Sequence, residues 1–364
     1  MRFVLCLLLS ACYSPPIKDG QFTCAFTALC PSGMSCQEGR CVRPDDGFDL
    51  GIFVDIYSGK LGDLDLTGRS GTLSVNTETG QWLLDGTEVL APSTPGWKRV
   101  PQPGGPMASV FPFRGVNIPS TVKVVAAPTT VPSALVLSAQ HSIQLDGTLD
   151  WTGLGSPGAE LREMRGHDLS GGTSGGLTGA MSTSGGGGGG GYGGAGLVGG
   201  GTGGGGGGNP FGNGQLQLLQ VGAGGGGGAG ISAIDFNGRG GRGGGAVALL
   251  VVGEILLGGT IDVSGGKGQD VNTLYQANGG GGGGGSGGSI LLSAAQGITF
   301  GAGHKLIAKG GTGGMPTVAG GVGGVGGVGR IFVATPKPSY AVGLSPMSEP
   351  QAVVGTDWLV SFPQ

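Results

Sequence analysis

From Leu64 to Leu90, apolar and polar residues alternate in short bursts. The clearest are Thr72-Leu73-Ser74-Val75-Asn76 and Gln81-Trp82-Leu83-Leu84-Asp85-Gly86-Thr87. A period of two bounded by Gly and Asp turns is the pattern of a strand with one buried face. Beyond Val110 the bursts recur as a longer unit. The stretch from Ala134 through Ile143 and Gly147 to Gly153 aligns without a gap on that from Ala246 through Ile255 and Gly259 to Gly265. A third copy, from Ser289 through Ile298 to Gly310, needs one inserted residue. A fourth starts at Gly329-Arg330-Ile331-Phe332-Val333-Ala334. Each copy reads as three short strands with Gly or Asp-Gly corners. Its inward positions come out as Leu149 and Trp151, Ile261 and Val263, then Leu306 and Ala308. One unit cannot bury its own apolar side, whereas stacked units can.

The pattern predicts an all-β fold: a parallel β-solenoid (β-helix) over 110–335 with polyglycine-rich insertions, the longest at about 154–245. Residues 44–109 are expected to be a linker and short β region, with a loop over 92–106 that holds five prolines. Residues 336–364 read as a C-terminal tail.

Glycine changes this picture more than any other residue type. It supplies 90 of 364 residues, concentrated between Ser170 and Gly329. Its blocks at 185–191, 203–208, 224–228 and 279–285 fall between the repeated units. Two readings stay open: disordered loops, or a packed bundle of polyproline-II-like rods with three residues per turn. The Gly-Gly-Val triplets at 320–328 have the period a bundle needs. Tyr192, Leu197, Val198, Val322, Val325 and Val328 would then face outward or dock on the repeated units.

Charge narrows the partner classes. Only 11% of residues are charged, with a formal net charge of −3. There is no basic footprint for nucleic acid.

The chain opens with Arg2, a short apolar run, and Leu9-Ser10-Ala11-Cys12. The run is too short to span a bilayer, which takes about 20 residues, and reads as a removable leader. It resembles the bacterial lipoprotein signal, with the lipobox matched position by position. The resemblance implies a signal peptide at 1–11, cleavage before Cys12, lipidation of Cys12 and a tether over 12–23. Tyr13 stands where an Asp would favour inner-membrane retention, so the expected address is the outer membrane of a bacterial envelope.

Cys24, Cys30, Cys36 and Cys41 remain after the leader. An even, closely spaced set in an exported chain predicts a disulfide-rich module over 24–43. Structural zinc sites favour tighter pairs, and no histidine lies nearby. Two bridges admit three pairings. The segment resembles small Cys-rich, loosely EGF-like modules next to lipidation sites in myxobacterial-type lipoproteins.

The longer repeat, with Val116-Asn117-Ile118-Pro119 introducing a unit and Gly259-Thr260-Ile261-Asp262-Val263-Ser264-Gly265-Gly266 closing one, resembles the glycine-rich, PGRS-like surface lipoproteins of myxobacteria and relatives. That resemblance implies fold and envelope location, not an activity. The glycine blocks are also similar in composition to packed glycine helices of phage tail-tip adhesins and of a glycine-rich antifreeze protein.

Motifs that suggest chemistry lack their settings. Ser174 and Ser286 each centre a G-x-S-x-G, but no helical pattern follows either, as a nucleophile elbow requires. Residues 265–273 begin like a calcium-binding nonapeptide but carry Asn272 where a large apolar residue belongs. Arg239 and Arg242 lie in an RGG-like run, too sparse for a strong electrostatic site. His304 and Lys305 are expected to be exposed at a corner. Asp150 and Asp262 hold matching outward positions, and Ile307 breaks their row. The expected function is a structural or adhesive surface role, with no catalysis and no cofactor or metal. Its expected partners are the membrane, through the anchor, and a polysaccharide or cell-surface ligand. The alternatives are a carbohydrate-active enzyme, a polysaccharide lyase or hydrolase acting through such acids, and a glycine-helix recognition tip.

Overall fold

The computed structural model describes residues 35–37, 40–42, 58–102, 105–131, 133–159, 175–180, 183–212, 216, 218–230, 238–271, 279–317, 319–335, 341–342 and 348–355. The chain divides into two units, Met1–Ile52 and Phe53–Gln364. In the first, β1 (Ser35–Gln37) and β2 (Arg40–Val42) pair antiparallel, with Cys36 opposite Cys41. The leader, Cys12, Cys24 and Cys30 lie outside the described residues.

The second unit is all-β, and no helix occurs among the described residues. It opens with β3 (Asp63–Asp65), β4 (Gly71–Val75), β5 (Trp82–Leu84), β6 (Thr87–Leu90) and β7 (Lys98–Val100). Strands then come in threes. The first tier is β8 (Met107–Phe113), β9 (Gly115–Ile118) and β10 (Val122–Ala126). The second is β11 (Ser133–Ala139), β12 (Ser142–Leu145) and β13 (Thr148–Asp150). The third is β14 (Ala246–Val251), β15 (Glu254–Leu257) and β16 (Thr260–Asp262). The fourth is β17 (Ser289–Ala294), β18 (Gly297–Phe300) and β19 (Lys305–Ile307). After them come β20 (Arg330–Ala334), β21 (Ala341–Val342), β22 (Ser348–Glu349) and β23 (Val353–Gly355).

These strands form three sheets, ordered β22-β19-β16-β13-β10-β4-β5-β6, β23-β20-β17-β14-β11-β8-β7 and β21-β18-β15-β12-β9-β3. Each strand of a tier pairs in parallel with its counterpart in the next. The register sets Ile143 between Val116 and Ile255, and Ile255 against Ile298. It likewise sets Leu149 between Val124 and Ile261, with Leu306 next. These side chains are buried in one continuous core. Alternation at period two thus becomes ladders of identical or similar residues, each strand covering the apolar edge of the one before. Leu149, Trp151, Ile261, Val263, Leu306 and Ala308 all face this core.

Several details depart from the sequence reading. Parallel pairing begins at Asp63, well before 110. The proline loop contains β7, which pairs antiparallel with β8. The third copy carries two extra residues, not one: Ile255 pairs with Ile298, whereas Ile261 pairs with Leu306. The tail contributes β21, β22 and β23 to the three sheets.

Two features set the limits of the stack. At one end the parallel edges of β4 and β8 are covered by antiparallel β5–β6 and by β7. Trp82 is fully buried there, edge-on to Phe111 at 5.0 Å and Phe113 at 5.6 Å. At the corners, tiers approach too closely for a side chain. A Cβ on Gly259 would lie 1.9 Å from the Gly147 carbonyl oxygen.

The seven-stranded sheet does not alternate. Every residue of β11 and β14 is buried, so this sheet is covered on both faces. Its outer positions are small or aliphatic: Ala134, Val136 and Ser138, then Ala246, Ala248 and Leu250. Residues 216 and 218–221 are anchored beside them, with Leu216, Leu219 and Val221 buried. The Gln102 amide exchanges two hydrogen bonds with the Leu219 backbone, at 3.0 and 3.2 Å. The Ser289 hydroxyl donates to Gln220 O.

Candidate interaction face on the glycine lattice

The glycine-rich insertions leave the sheets after β13, β16 and β19 and return at β14, β17 and β20. Their backbones bond to one another rather than to side chains, and with a three-residue period. In 184–191, Gly186 and Gly189 donate to Gly200 and Leu197, Gly187 and Gly190 to Gly281 and Gly284, and Gly188 to Leu177. The same segment accepts from Gly205 and Gly208, from Gly226 and Ala229, and from Gly321, Gly324 and Gly327. Successive residues of a triplet therefore address different neighbours, as a three-fold extended rod would. Segment 279–288 behaves alike, donating in turn to 223–229, 321–327 and 263–269.

Disordered loops are thus not the outcome for these segments. The lattice explains why glycine is required. A Cβ on Gly188 would lie 2.0 Å from the Gly206 oxygen. Burial of so many peptide groups is tolerable only because their N–H and C=O groups find partners.

One side chain ties the lattice to the sheets. Tyr192 is fully buried, and its hydroxyl lies 2.7 Å from Ser289 Oγ on β17. Its ring packs on Phe211 at 4.8 Å and under the Arg330 guanidinium at 5.5 Å. Burial pushes its phenol up to about 12, against the opposing pull of Ser289 and Arg330. Arg330 in turn donates to Phe211 O at 2.9 Å.

Three rods share one outer layer. Segment 194–200 runs beside 321–329, with Leu197 N donating to Val325 O and Gly200 N to Val322 O. On the other side, Gly323 and Gly326 donate to Gly314 and Gly311 of segment 309–315. Leu197, Val198, Met315, Val322, Val325 and Val328 of this layer are between 39% and 66% exposed. Thr312 and Lys309 complete its outward side chains of any size, and no carboxylate occurs in the three segments. Contiguous exposed apolar residues on a rigid support are the usual mark of a contact surface. Of the residues expected to face outward or dock, Tyr192 alone is buried.

The residues flagged for chemistry are occupied structurally. Ser286 is buried, and its hydroxyl accepts from Ala223 N at 2.9 Å. Ser174 lies outside the described residues. Asp150 and Asp262 stand in register and each caps its own turn, accepting from Thr152 N at 3.1 Å and Ser264 N at 2.9 Å. Burial works to raise Asp150, but the Lys123 ammonium at 2.8 Å and the Thr152 hydrogen bonds hold it below the usual carboxylate range. Asp270 is held low chiefly by the Lys267 hydrogen bond at 2.6 Å, and it also accepts from Met315 N. Arg239 and Arg242 belong to a rod bonded to 263–269.

His304 was expected to be exposed and is instead buried. The two extra residues widen its corner, so the ring folds in against Phe300 at 4.8 Å and Nδ1 donates to Gly301 O at 2.8 Å. Lys305 is exposed as expected. Among the described residues, no group of three or more His, Cys, Asp or Glu could hold a metal ion. No helix among them is long and apolar enough to cross a membrane.

Compared with known proteins, the sequence matches no protein-family model and no curated protein, and the fold matches no solved structure.

Proposed function

We propose that this is a lipid-anchored protein of the bacterial cell envelope with a structural or adhesive surface role and no catalysis. In this reading the three sheets form a parallel β-solenoid, a disulfide-stapled module precedes it, and Cys12 carries the lipid. The solenoid serves as a stiff column, and the glycine lattice is the working part.

The observation that carries the reading is the outer layer of rods. It presents six large apolar side chains to solvent on a backbone with no room to yield. A soluble globular protein gains nothing from holding such a patch exposed, whereas a contact protein does. Rigidity adds to the effect, because a preformed surface loses little conformational entropy on contact.

Two measurements test it. Cys12→Ala should move the protein from the membrane fraction to the soluble fraction. Cells lacking the protein should attach to surfaces and to one another less well. Unchanged attachment and unchanged surface properties would refute the adhesive role. Retention of Cys12→Ala in the membrane would refute the lipid anchor.

A further inference from the structure

We draw no further inference here: the strongest candidate, the exposed apolar layer formed by rods 194–200, 309–315 and 321–329, carries none, because nothing in the structure shows what covers it.

Discussion

At the residue scale, the same amino acid does opposite things at neighbouring sites. Gly188 has a backbone oxygen 2.0 Å from where a Cβ would sit, whereas Gly206 meets only the Leu177 side chain, at 3.2 Å. Gly188→Ala should therefore cost about 3 kcal/mol or more through forced displacement of a neighbouring rod. Gly206→Ala should stay within about 1 kcal/mol, because the exposed leucine can turn aside and the unfolded chain loses freedom. Urea denaturation of the two variants gives the comparison. Tyr192 supplies a pH signature. Its phenol titrates near 10 in the unfolded chain and at about 12 in the fold. The native state thus holds the proton more tightly. This stabilisation is complete below pH 10 and is lost as pH rises through 12, a fall of about 2–3 kcal/mol. Tyr192→Phe should flatten that part of the alkaline stability profile and cost about 1 kcal/mol at neutral pH through the lost bond to Ser289. Nothing in the sequence around Tyr192 signals burial, since it stands in polyglycine like the exposed Leu197. The same holds for His304, whose pocket depends on a corner two residues longer than its predecessor's.

At the scale of elements, the tiers were readable because their inward residues alternate. Leu149 with Trp151 and Ile261 with Val263 share a spacing and a glycine corner, so one alignment recovers the register. The seven-stranded sheet was not readable in this way. Ala134 through Ala139 is buried on both faces, so it shows no alternation. Nor does the sequence reveal that β7 lies within the proline loop, because prolines flank it on both sides and its Lys98 and Arg99 look like solvent residues. The hairpin β5–β6 has a task the pattern could not state. It covers an edge that would otherwise template another chain. Trp82→Ala should remove its packing on Phe111 and Phe113, cost about 3–5 kcal/mol, and raise the soluble aggregate seen by size-exclusion chromatography. Under the proposed disulfide module, the β1–β2 register, which sets Cys36 opposite Cys41, favours one of the three pairings. Directly opposed residues of an antiparallel pair fall within bridging distance. Peptide mapping under non-reducing conditions should find Cys36 joined to Cys41, leaving Cys24 for Cys30.

At the scale of the whole chain, cohesion comes from apolar ladders and peptide hydrogen bonds, with charge in a minor role. Of the described ion pairs, Arg114–Asp63 and Lys267–Asp270 lie at the surface and Lys123–Asp150 is partly exposed; such pairs contribute little. Raising sodium chloride from low to molar concentration should change unfolding free energy by about 1 kcal/mol or less on screening grounds. Denaturant titrations at two salt concentrations would check it. Composition alone could not decide between loose loops and a lattice, because glycine has no side chain to mark the inside of a rod. Only the Gly-Gly-Val triplets betrayed the period, and Val322, Val325 and Val328 do fall on one exposed line.

That lattice has a consequence for resistance to proteolysis. A protease must draw a strand into its cleft and grip side chains along it. Rods such as 184–191 and 279–288 are clamped by their neighbours and offer almost nothing to grip. Cleavage there would first require extracting a whole rod and breaking its bonds to every neighbour at once. The richest low-complexity tract of this chain should therefore outlast ordinary surface loops in a medium full of digestive enzymes.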